Sequence, residues 1–172
     1  MKNGKFIGLI NLKDKIIVSD PYFAVGTKNQ GNIDNVIPGT YNCFVLEDKD
    51  SNWGTKVREL FIINSNSPIS RDQINTLIDT RIKEESGTIG IFDYDYYKKY
   101  HNDPFGDDYK IWYKKNVLED YPDYKITSES GVWSICGYGD GICKSNLHEC
   151  FVHLDDAGKI NGIRIIFMKE EE

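Results

Sequence analysis

No stretch of this 172-residue sequence approaches the roughly 18 consecutive apolar residues that a membrane-spanning helix needs. At the N-terminus the apolar run from Phe6 to Ile10 is too short for a signal-peptide core, and no small-residue cleavage site follows it. These absences predict a cytoplasmic protein without a membrane partner, in a compartment where thiols stay reduced. An excess of basic charge is missing as well. Lys and Arg number 21 against 27 Asp and Glu, for a net charge of −6. Such a chain repels phosphate backbones, so no nucleic acid partner is expected. Hydrophobic residues at 40% supply material for a core, and the length fits a single domain over residues 1–172.

Close pairs of metal-ligating residues are also missing. Cys136, Cys143, Cys150, His148 and His153 fall in one short window, but six residues separate each cysteine from the next, whereas structural zinc sites bring ligands in pairs such as CxxC. In an extended ECFVHLD segment, alternation places Cys150, Val152 and Leu154 on one face and Phe151 and His153 on the other. Buried thiols are therefore the expectation. Neither nucleotide fingerprint is present, neither GxxxxGK[ST] nor GxGxxG opening a helix, and there is no GxSxG. Without a catalytic signature, binding is expected rather than catalysis, and no cofactor is implied beyond Mg²⁺ or Ca²⁺ at carboxylates.

What the sequence does contain is a series of strand-like runs broken by turns. KFIGLINL and KIIVSDPYF are rich in β-branched and aromatic residues, and Pro21 stops the second. TYNCFVLE, TKVRELFIIN, GTIGIF, GVWSICGY, HECFVHLD and INGIRIIF follow. In the last of these, Ile163, Ile165 and Phe167 alternate toward a core while Arg164 points away. At Ser70 and Gln73 an SxxQ capping box, flanked by Ile69 and Ile74, predicts a helix with Ile74, Leu77, Ile78 and Ile82 on one stripe. Residues 93–124 hold eight of the eleven tyrosines. Their spacing predicts a helical insert of two short helices, one over Tyr94 to Tyr100 and one from Asp107 or Asp108 to about Glu119. Tyr109, Trp112 and Tyr113 on the second are candidates for a partner surface, because such rings bring large contact area at low entropy cost. The alternative is a flap whose rings pack on the sheet. The fold class read from this pattern is α+β, mainly antiparallel β, sandwich-like or a curved sheet, with one capped helix and the Tyr-rich insert.

Three aspartates stand at or just after the ends of strand-like runs: Asp20, Asp93 and Asp140. If they converged at one sheet rim they could hold Mg²⁺ or Ca²⁺, or divide acid and base roles. The glycines of GYGDG, Gly137, Gly139 and Gly141, read as a tight bend that Asp140 supports by side-chain hydrogen bonds.

The segments SDPYF (19–23), PGTY (38–41), ESGTIGIFD (85–93), SICGYGDGIC (134–143) and DDAGKINGIRIIF (155–167) together resemble an uncharacterised bacterial and phage family. Its pattern is an SDPC-like turn, a DSG-to-FD segment, a GxGDG bend and a final apolar strand, in this order along nearly the whole chain. Tyr22 stands near the family's cysteine position, and Glu85 stands where the family tends to have Asp. The family is a domain of unknown function. The resemblance implies a β-rich single domain and marks Asp20, Asp93, Gly139, Asp140 and Gly141, without supplying an activity. The reading that follows is a binding or interaction protein of immunity or phage-conflict type, with a basic protein as partner, since opposite charge steers association. The alternative is a carboxylate-based divalent-metal site with hydrolytic chemistry.

Overall fold

In the computed structural model, which describes residues 4–50, 54–103, 106–120, 122–137 and 146–168, the β-branched runs pair into two antiparallel sheets. The strands are β1 (Lys5–Leu12), β2 (Ile16–Ser19), β3 (Gly31–Ile33), β4 (Gly39–Asp50), β5 (Gly54–Asn64), β6 (Thr76–Leu77), β7 (Ile82–Lys83), β8 (Thr88–Asp93), β9 (Tyr124–Thr127), β10 (Gly131–Ile135), β11 (Leu147–Leu154) and β12 (Ile160–Ile166). The larger sheet runs β1-β4-β5-β12-β11-β6, with β7 pairing a further part of β11, and the smaller runs β3-β2-β8-β10-β9. Alternate residues from both sheets meet in one core. Ile10, Tyr41, Cys43, Val45, Leu60, Ile62, Ile163 and Ile165 come from the larger sheet, and Ile16, Val18, Ile89, Ile91 and Val132 from the smaller. The architecture is a mainly antiparallel β sandwich, the fold class that the alternation predicts.

Helices cover the outer face of the smaller sheet. The carboxylate of Asp93, at the end of β8, accepts the Tyr96 N–H and starts α1 (Tyr94–His101). The second helix, α2 (Asp107–Tyr113), continues as a π turn over Lys114–Leu118. From these elements Tyr97, Trp112 and Val117 pack against Ile17, Phe92 and Trp133 of the sheet, forming a second apolar cluster. The Trp133 indole N–H donates to the Asn116 carbonyl (2.9 Å), and the Asn116 amide donates to the Trp112 carbonyl (2.9 Å). With both faces covered, β2 and β8 are buried at every residue, as expected of a central strand in a three-layer arrangement. Phe92 lies across two glycines. A Cβ on Gly90 would meet its ring at 2.5 Å and the Val132 carbonyl at 2.6 Å, and one on Gly131 would meet the same ring.

Residues 70–82 do not form the expected helix. The Gln73 side chain does accept the Ser70 N–H (2.8 Å), but only a 3₁₀ turn, Arg71–Gln73, follows. The chain then extends along β11: Thr76 and Leu77 pair with Val152 and Phe151, and Ile82 and Lys83 pair with His148 and Leu147. This segment satisfies backbone groups on β11 that would otherwise lie at a sheet edge. Ile74 and Ile82 are buried while Leu77 is exposed.

On the outer face of the larger sheet, the registers set Phe6, Phe44, Phe61, Arg164, Phe151 and Leu77 in one cross-strand row. Ile69 and Ile74 close over part of it. Arg164 donates through Nε (2.5 Å) and Nη2 (3.1 Å) to the two oxygens of Glu59, and Arg71 adds a third bond (2.8 Å).

Candidate functional site

Antiparallel pairing decides which motifs meet. Ser19 pairs with Gly90, and Ile135 pairs with Thr88. The end of β2, the approach to β8 and the end of β10 therefore lie at one rim of the smaller sheet. The SDP and ESG segments, far apart in sequence, come together there, and the Cys136 N–H donates to the Gly87 carbonyl (2.8 Å). Asp93 is at the opposite rim, opposite Ile16. Asp20 lies four residues beyond Ile16, about 13 Å along the strand direction at ~3.3 Å per residue. The structure thus does not bring Asp20 and Asp93 together. Asp140, Gly139, Gly141 and Cys143 lie outside the described residues. Gly137 is the last described residue of the bend; its φ is +63°, and it exchanges two backbone hydrogen bonds with Val57.

Asp20 is fully buried. Its Oδ2 accepts the N–H groups of Glu85 (2.7 Å) and Ser86 (2.8 Å), and its Oδ1 accepts the Tyr22 N–H (2.8 Å) and the Ser86 hydroxyl (2.7 Å). Burial raises its pKa, against four hydrogen bonds that favour the carboxylate. All four lone-pair positions are occupied, so no lobe is left for a metal ion. Asp93 is engaged likewise, accepting the Lys13 N–H (2.9 Å) at Oδ2 and capping α1 at Oδ1. Among the described residues no group of three or more His, Cys, Asp or Glu gathers where a metal could sit.

The turn after Asp20 is bound to the helices. The Tyr97 hydroxyl donates to the Asp20 carbonyl (3.0 Å), the Tyr109 hydroxyl to the Tyr22 carbonyl (2.9 Å), and His101 Nε2 lies 2.9 Å from the Pro21 carbonyl. Burial pushes the Tyr97 and Tyr109 hydroxyls up, and that of Tyr113 to about 12. Of the rings expected on a partner surface, Tyr109 and Trp112 are 7% and 4% exposed. They belong to the layer that covers the sheet, because an exposed indole there would leave Phe92 and Ile17 uncovered. Tyr113 is half-buried. The exposed ring is Tyr22, at 52%, which sequence reasoning passed over as part of a turn. Its centroid is 5.6 Å from Tyr113 and 6.5 Å from Tyr109, edge to face, while Tyr109 and Tyr113 stack at 5.8 Å.

Cys150 follows its alternation, and Cys43 and Cys136 are buried as well. Cys150 faces the core, and burial raises its thiol to about 12, far from a reactive thiolate. His153 lies on the other face, with Nδ1 at 2.6 Å from Asn161 Oδ1. Among the described residues no helix is long and apolar enough to cross a membrane.

Set against family models, curated proteins and solved structures, the chain matches none.

Proposed function

We propose that this is a binding protein whose contact surface is the rim where the SDP and ESG segments meet, and that its partner is a basic protein. The observation that carries this reading is Tyr22. A large ring, half exposed, sits on two further tyrosines held by the helices, and an aromatic anchor with a polar surround suits a protein contact. The net charge of −6 supplies attraction toward a basic partner. Asp20, Ser86 and Tyr97 serve in this reading to hold the turn that presents Tyr22.

The test is fluorescence anisotropy with a labelled peptide rich in Arg and Lys, at low and physiological ionic strength. Binding should weaken as salt rises, and Tyr22→Ala should weaken it further while the circular dichroism spectrum stays that of the native protein. Absence of binding at low salt, or equal affinity for the Tyr22→Ala variant, overturns the reading.

A further inference from the structure

The rim combines two features, a ring cluster and a buried charge. Tyr22 and Tyr113 meet at 66° with centroids 5.6 Å apart, which makes a corner of two aromatic walls, and Tyr109 backs it. Behind the corner lies Asp20, fully buried and without a basic partner among the described residues. A buried carboxylate held only by neutral donors leaves its charge uncompensated, and the surrounding low dielectric carries that field outward to the rings. Glu85, whose backbone N–H bonds to Asp20, is exposed, and its carboxylate lies 3.3 Å from Lys83 Nζ.

We propose that this corner receives a single guanidinium group, the side chain of an arginine on the partner. The inference rests on the binding-protein reading and names the group that the site selects. The saturation of Asp20 makes the choice between cations. With four donors already on its two oxygens, it cannot accept a further short hydrogen bond, so an incoming cation is held by the field and by ring faces rather than by direct contact. An ammonium is compact, strongly hydrated and needs acceptors for three N–H bonds. A guanidinium is planar, weakly hydrated and stacks on aromatic rings.

The experiment is an NMR titration of the whole chain, with assigned backbone amides, using N-acetyl-arginine methylamide and N-acetyl-lysine methylamide as probes. The arginine probe should shift the amides of Tyr22, Glu85, Ser86 and Tyr113, with at least threefold higher affinity than the lysine probe. Tyr22→Ala should reduce that affinity at least fivefold, and Tyr22→Phe should retain most of it, since the ring and not the hydroxyl is invoked. Equal affinity for the two probes, or shifts confined to other surfaces, overturns the guanidinium inference. In that case binding of the Arg- and Lys-rich peptide still upholds the basic-partner reading. If neither the peptide nor the single-residue probes bind, both are overturned.

Discussion

The imidazole Nε2 of His101 lies 2.9 Å from the carbonyl oxygen of Pro21, joining the end of α1 to the turn that carries Tyr22. Its other nitrogen, Nδ1, lies 2.9 Å from the Tyr97 carbonyl, and the ring stacks on that of Tyr97 at 3.7 Å. A neutral imidazole has one N–H for these two acceptors. Burial nevertheless holds the group neutral, lowering its pKa to about 4, with the two carbonyl contacts opposing.

Acid should therefore destabilise the fold through His101, and through His148, which burial also lowers to about 4. The unfolded chain takes up these protons near pH 6.5, before the folded chain does, so stability declines as pH falls from about 6.5 toward 4. Each group accounts for about 3 kcal/mol at the lower end. Asp20, raised by burial, acts with the opposite sign and offsets part of the loss. Urea midpoints measured between pH 7 and pH 4 should fall, and the slope should lessen in His148→Phe. An unchanged midpoint over this range would contradict the account.

Trp112→Ala should cost about 3–5 kcal/mol in urea unfolding, the range for truncating a large buried ring. The residue is nearly fully buried, and its indole N–H donates to the Tyr96 hydroxyl (2.7 Å). Tyr22→Ala, at the exposed end of the same aromatic group, should cost about 1 kcal/mol or less. Comparable losses in the two variants would mean that Tyr22 is part of the packing rather than a surface ring.

Gly90→Ala should be among the most destabilising small substitutions in the chain. A methyl at this position meets both the Phe92 ring and the Val132 carbonyl inside van der Waals distance, and relieving such overlap costs about 1–3 kcal/mol. Combining it with Phe92→Leu should recover part of the loss, measurable as a double-mutant cycle.

The β9–β10 hairpin offers a gain instead. Ser128 and Glu129 occupy left-handed backbone at φ +48° and +59°, and the Ser130 N–H bonds to the Thr127 carbonyl (3.0 Å). Thr127–Ser130 is a β-turn with φ positive at both central positions, where Asn-Gly is favoured and other L-residues are strained. The exposed pair Ser128→Asn with Glu129→Gly should stabilise the protein by about 1 kcal/mol, read as a higher Tm.

These elements differ in how plainly the sequence announced them. The two helices after Asp93 were legible because apolar spacing and helix-compatible residues agree over 94–100 and 107–118, although α2 is capped by Gly106 rather than by an aspartate. Residues 70–82 were not, although their capping box forms. Ile74, Ile78 and Ile82 satisfy a helical stripe, but Ile74, Thr76, Ile78, Thr80 and Ile82 are also every second residue and all β-branched, which suits an extended segment. Periods of two and four coincide at these positions, so the choice fell to β11, whose backbone groups the extended form satisfies. The carboxylates show a different limit. Ends of strands were legible at Asp20 and Asp93, yet two antiparallel neighbours end at opposite rims. Only the pairing of β2 with β8, a contact between distant segments, reveals that Asp20 meets Ser86 rather than Asp93.

The doubled pairing of β11 bears on how the molecule behaves in a crowded solution. An eight-residue outer strand rich in Val, Phe and Leu is a template on which foreign chains can add and polymerise. Here the chain laid along it touches at two short stations, Thr76–Leu77 and Ile82–Lys83, and Asp79 and Arg81 fall between them. A growing fibril would have to displace this built-in stopper before it could use the strand. Release of residues 74–83, by proteolysis or by a proline at Thr76, would bare this strand and open it to pairing with a second chain.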